Sequence, residues 1–163
     1  MKSKKHILVP VDFSEHAQEA LRFAIRLANE MSLDLLVLHV VHDLGGAPGF
    51  YTPKGHKKNL RKIKELAAER FKDFMTDFTA AHPQLKKVGS CETQMVSGLP
   101  VKRILEVVAS SKPFMLVMGS AGRTRLANLV LGSKAEQIVR LCPVPVTIIK
   151  TPKKKDDKEE ARK

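Results

Sequence analysis

Four short apolar runs, Ile7 to Val11, Leu35 to Val41, Phe114 to Met118 and Val144 to Ile149, constrain this chain more than any other feature. They are rich in Val, Ile and Leu with little polar alternation, which is the pattern of strands buried on both faces of a parallel sheet. A fifth run, Val88 to Val96, mixes Cys91, Thr93 and Met95 with Glu92 and Gln94 and fits a half-exposed edge strand. Between the runs the period becomes helical. Ala17, Leu21, Ala24, Ala28 and Met31 follow three- and four-residue steps after Ser14, which predicts a helix over 14–31 capped by that serine. Leu60, Ile63, Ala67, Phe71, Phe74 and Phe78 form a second stripe. Pro100 at a first helical position opens a third helix with Val101, Ile104, Leu105 and Val108 inward, and a last helix runs from Ser133 to Leu141, ended by Pro143. Strand and helix alternating up to a fifth strand imply an α/β domain with right-handed crossovers and helices on both faces of the sheet.

With 163 residues there is material for one core and no second one. Residues 1–151 are expected to form the domain; 152–163 read as a charged, low-complexity tail, and Leu44 to Gly55, with four Gly and two Pro, as a mobile loop. The net charge of +12 raises the question of nucleic acid or an anionic membrane. Its location weakens the case for both. Residues 54–72 carry eight basic and two acidic side chains, and 150–163 carry seven and four, leaving the remainder close to balanced. One Tyr and no Trp leave no platform for stacking bases, so nucleic acid is not the expected partner, and the basic stretch reads as a solvated helix face. No segment reaches the roughly 20 apolar residues that span a bilayer. Asp12 cuts short the apolar run after the basic start, so a signal peptide is not expected, and two cysteines without a leader fit a reducing cytoplasm.

In an open parallel sheet, ligands bind beyond the carboxyl ends of the strands, where strand order reverses. The residues there are Val11-Asp12-Phe13-Ser14 after the first strand, Gly119-Ser120-Ala121-Gly122 after the fourth, and Gly132-Ser133 opening the last helix. Gly119 and Gly122 would let backbone amides approach an anion, and Gly132-Ser133 adds free amides and a hydroxyl at a helix N-terminus. This is either a phosphate cradle or two ordinary turns and an N-cap serine. The three pieces meet only if the first and fourth strands are neighbours.

The segment from Met118 to Ser133 has the spacing Gly, two residues, Gly, nine residues, Gly-Ser, and with I-L-V-P-V-D-F-S-E at Ile7 to Glu15, L-H-V-V, and C-P-V-P-V it resembles the universal stress protein family over about residues 5–150. The resemblance is to the branch whose glycine motif accompanies ATP binding. It implies a Rossmann-like, adenine nucleotide alpha hydrolase-like sheet of order 3-2-1-4-5 and a homodimer formed through the last strands. Pro10, Val11 and Asp12 would border the nucleotide, Asp12 lying near the phosphates or their Mg²⁺, and Val40 would meet adenine through its backbone. Met118, Gly119, Gly122, Gly132, Ser133 and Lys134 would surround ribose and phosphates. Arg125 stands where the family commonly has Gly, and Ala121 where it often has His. Arg125 either contacts phosphate as a charged donor or crowds the loop.

The chemistry of these residue types agrees with ATP and Mg²⁺, because a hard ion already held by phosphate oxygens needs one carboxylate and water. The alternative reading of Asp12 is a helix-start acid meeting the helix dipole. His39 and His42, three apart on a strand, point to opposite faces and do not form a metal pair; Cys91 and Cys142 read as structural thiols. There is no G-x-x-x-x-G-K-[ST]. No general base can be named beside the glycine motif, so the expected function is adenine-nucleotide binding by a regulatory protein. The alternatives are slow ATP hydrolysis or phosphoryl transfer, with Ser133 or Arg125 steadying the γ-phosphate, and an adaptor that binds nucleic acid or an acidic partner through the basic second helix and tail.

Overall fold

The computed structural model describes residues 5–42, 56–121 and 131–151, and of 56–60 the backbone alone. The strands β1 (His6–Val11), β2 (Asp34–His42), β3 (Cys91–Gly98), β4 (Met115–Gly119) and β5 (Val146–Ile149) form one parallel sheet in the order β3-β2-β1-β4-β5. The expected order 3-2-1-4-5 is the observed one. The mixed run at residues 88–96 supplies β3 at one edge, where Glu92, Thr93 and Gln94 are exposed. The loop 43–55 and the tail 152–163 lie outside the described residues.

Helices α1 (Glu15–Met31) and α2 (His56–Ala81) pack on one face; α3 (Pro100–Ser111) and α4 (Ser133–Leu141) pack on the other. Side chains alternate between the two cores as period-two strands require. Ile7, Val9, Leu35 and Val37 join Ala20, Leu21, Ala24 and Phe71, while Leu8, Leu38 and Leu116 join Ile104, Val108 and Ile138. Each such Leu or Ile removed from water contributes about 1.5–3 kcal/mol. Ser14 caps α1 by accepting from the Ala17 amide at 3.2 Å, and Pro100 occupies the start of α3, where its missing N–H costs no helical bond. Among the described residues no helix is long and apolar enough to cross a membrane.

Helix α2 departs from its sequence stripe. Phe71 and Phe78 are buried, yet Ile63 is 50 % exposed and Leu66 66 %. Its 26 residues make a rod of about 39 Å, while the nine residues of β2 reach only about 30 Å. The N-terminal turns therefore overrun the strand beneath them. Met31 is likewise 44 % exposed, standing at the very end of α1. The sequence also hid a short 3-10 helix, Pro83–Lys87, which buries Leu85.

His6 opens β1 opposite Asp34 and lies 3.3 Å by its Nε2 from Ser111 Oγ. Burial lowers its pKa, and the nearby Glu92 and Asp34 carboxylates only partly oppose this. The unfolded chain therefore takes up a proton that the folded chain resists. Stability should be full above about pH 6.5 and decline as pH falls through the lowered folded value. Urea midpoints at pH 7.5 and 5.5 should separate more for the native protein than for His6→Gln; equal separations would remove His6 as the cause.

Candidate functional site

The short pairing between β1 and β4 follows from one residue. Lys5 O accepts from Asp34 N, on the side of β2, and His6 O accepts from Phe114 N, on the side of β4. Backbone groups alternate along a strand, so the even positions of β1 face β4, and Pro10 is the position there that lacks a donor. The β1–β4 pairing is confined to Ile7 with Met115 and Leu8 with Leu116, whereas β1 pairs with β2 from His6 through Val11. Strand order also reverses between β1 and β4. Here the structure places the carboxyl ends of both strands side by side, as convergence of the candidate residues requires.

At the end of β1 the chain turns through Asp12 and Phe13. Asp12 Oδ1 accepts from the Ser14 hydroxyl at 2.6 Å and from the Ser14 amide at 3.1 Å. Phe13 has φ 67°, in the left-handed region that costs a bulky residue about 1–3 kcal/mol. Its ring stacks on His39 at a centroid distance of 4.3 Å and meets Phe74 at 5.2 Å, with the Arg70 guanidinium 5.4 Å away. His39 is buried, and its Nδ1 donates to Val11 O at 2.8 Å. His39 and His42 do part company, one in the core and the other exposed.

On the β4 side the glycines are held by packing. A Cβ on Gly119 would lie 2.8 Å from the carbonyl carbon, oxygen and Cβ of His16 in the first turn of α1. Gly119 is thus where β4 and α1 touch. A Cβ on Gly132 would come within 3.2 Å of Ser120 O, which accepts from the Gly132 amide at 2.9 Å. The Ser120 amide is committed too, donating to Ile149 O at 2.9 Å. These two amides hold the turn together. Among the described residues, the donors open to an anion are the leading amides of α4, at Ser133, Lys134 and Ala135, which have no partner inside a helix; Gly132 supplies no side-chain cap.

Among the sequence candidates, Val40 and Met118 are half-buried on the α3 and α4 face, and Pro10, Asp12 and Gly132 are also half-buried. Val11 and Gly119 are buried, while Ser133 and Lys134 are exposed. Gly122 and Arg125 lie outside the described residues. Reading the sequence missed His16, Phe13 and His39. A histidine inside Leu38-His39-Val40-Val41 was a signal, since a polar ring in a buried strand must find a hydrogen-bond partner.

The donor set fits a phosphorylated ligand with a hard cation: helix-end amides and Lys134 for phosphate oxygens, and the Asp12 carboxylate for the ion. Among the described residues, no group of three or more His, Cys, Asp or Glu could hold a metal ion without such a ligand. Cys91 is no exception, because burial pushes its thiol up to about 11 and keeps it protonated at neutral pH.

Comparison with known proteins gives this arrangement a context. A universal stress protein of Methanocaldococcus jannaschii, MJ0531, is 29 % identical over 155 residues, covering 92 % of this chain and 84 % of its own. The structure of a universal stress protein UspA from Lactobacillus plantarum superposes with a TM-score of 0.75 at 24 % identity, covering 91 % of this chain and 99 % of that one. A universal stress protein family member from Arabidopsis thaliana, solved with AMP bound, has a TM-score of 0.58 at 15 % identity and covers 94 % of each chain. The sequence pattern of the universal stress protein family matches residues 4–150, nearly the whole chain, and the protein belongs to that family.

Proposed function

We propose that this chain is an adenine-nucleotide-binding regulatory protein of the stress response, taking ATP with Mg²⁺ at the β1/β4 crevice and acting in the cytoplasm as a homodimer. The observation that supports this reading is the topology: the Asp12 turn follows β1, the open N-terminus of α4 is bonded through Gly132 to Ser120 just after β4, and β1 and β4 are neighbours where strand order reverses. The leading amides of α4 and Lys134 take the phosphates, and Asp12 faces their Mg²⁺. Pro10 and Val11 border the nucleotide, Val40 presents backbone to adenine, and Met118 lies by the ribose. Gly122 and Arg125 are assigned to the phosphate-facing loop by their place in the glycine motif. A relative solved with AMP supports adenine as the base.

Binding is favoured over turnover because Asp12 Oδ1 already serves as acceptor for two groups of Ser14 and is poorly placed to take a proton from water. Residues 1–151 make up the binding unit, with 152–163 outside it. The dimer forms through β5, an edge strand whose four residues are all half-buried in the single chain.

Calorimetric titration should show saturable binding of MgATP, weakened about tenfold or more in Asp12→Ala, as expected for loss of a charged contact. Absence of both binding heat and co-purifying nucleotide would overturn the reading. Light scattering should give twice the chain mass, and a monomer mass would remove the dimer.

A further inference from the structure

We infer that His39 is the positioning residue for the Asp12 turn, one imidazole fixing the backbone on both sides of the carboxylate. Before Asp12, the His39 Nδ1–H holds the Val11 carbonyl at 2.8 Å. After Asp12, the Phe13 ring stacks on the same imidazole at 4.3 Å with an interplanar angle of 29°. A carbonyl cannot donate, so Nδ1 carries the proton in this bond.

The geometry explains why the turn tolerates Phe13. A residue with a Cβ avoids φ 67° unless its surroundings hold it there. Here the ring is held by His39, with Phe74 at 5.2 Å and Phe71 at 6.1 Å around it. His39 also touches Phe71, at 5.7 Å, so the brace is built into the core beneath α2. Register brings the parts together: His39 stands opposite Val11 in the β1–β2 ladder, and odd positions of β1 turn their carbonyls toward β2. With Val11 and Phe13 both fixed, the Asp12 side chain leaves the turn in one direction and its Oδ1 meets the Ser14 amide and hydroxyl. A carboxylate set before the ligand arrives loses less freedom on binding. The metal-facing role of Asp12 rests on the proposed function; the brace itself does not.

The test begins with ligand-free protein. His39→Phe keeps an aromatic ring against Phe13 and removes the bond to Val11; Phe13→Gly keeps that bond, accepts the positive φ and removes the ring. In each, exchange of the Ser14 amide proton should quicken about tenfold, the scale of one lost hydrogen bond, while the Leu21 to Ala28 amides of α1 keep their protection. Unchanged Ser14 exchange overturns the inference, as does an equal loss of protection along α1, which is the mark of general destabilisation. Should His39→Phe not fold, Phe13→Gly decides. Nucleotide titrations then add a second reading. Both variants should lose about tenfold in affinity for MgATP and less than about twofold for ATP in chelator; a parallel loss in both media counts against the brace. If native protein binds no MgATP, the proposed function fails, and the exchange pattern still decides whether His39 braces the turn.

Discussion

Gly119→Ala is expected to lower the unfolding temperature by roughly 10 °C, the equivalent of about 3 kcal/mol for a chain of this size. The added methyl would sit 2.8 Å from three atoms of His16, a separation that Cβ atoms do not adopt. Two of the three are the backbone carbonyl carbon and oxygen of the first turn of α1, so no side-chain rotation relieves the clash. The helix must move away from β4. Along α1 this would disturb Ala17, Ala20, Leu21, Ala24 and Ala28, all buried against the sheet. Trimming His16 to glycine should not rescue the variant, because the carbonyl remains. Thermal unfolding followed by circular dichroism checks the prediction, and a shift below about 2 °C would mean that the close approach is tolerated.

Leu8→Ala should cost a similar amount, about 2–5 kcal/mol, for the opposite reason. Leu8 is 0 % exposed at the centre of the cluster containing Leu38, Leu116 and Ile138. Removing three carbons leaves a void between the sheet and the α3/α4 layer, and the residues around it belong to several elements that cannot all collapse inward. In urea the midpoint should fall with the slope unchanged, since the surface exposed on unfolding is nearly the same. Leu66→Ala is the control: on the overrunning part of α2, at 66 % exposure, it should shift stability by no more than about 0.5 kcal/mol. Equal losses at Leu8 and Leu66 would contradict the division between core and overhang.

Much of this architecture was legible because burial on both faces leaves a continuous apolar run, and four of the five strands carry one. Ser14, Pro100 and Ser133 marked helix starts through local chemistry, and each helix begins where they place it. Strand order was different in kind. Nothing in the separate runs orders them, and 3-2-1-4-5 came from resemblance. Periodicity also gives the face of a helix without its extent, which is why Ile63 reads as core and is exposed. At the candidate site, Gly119 was legible as a residue needing space, but the occupant of that space, His16, is distant in sequence. Phe13 was hidden for a related reason: in Val-Asp-Phe-Ser the residue that tolerates positive φ is Asp12, yet it is Phe13 that adopts it, and the stacking partner that sustains it comes from β2.

The contact at the end of β5 has a consequence for the remainder of the chain. Thr151 Oγ1 lies 2.5 Å from His16 Nδ1, so the last described residue is fastened to the first turn of α1 at the rim where β1 and β4 end. The twelve residues that follow, six of them Lys or Arg, are tethered there and span at most about 40 Å.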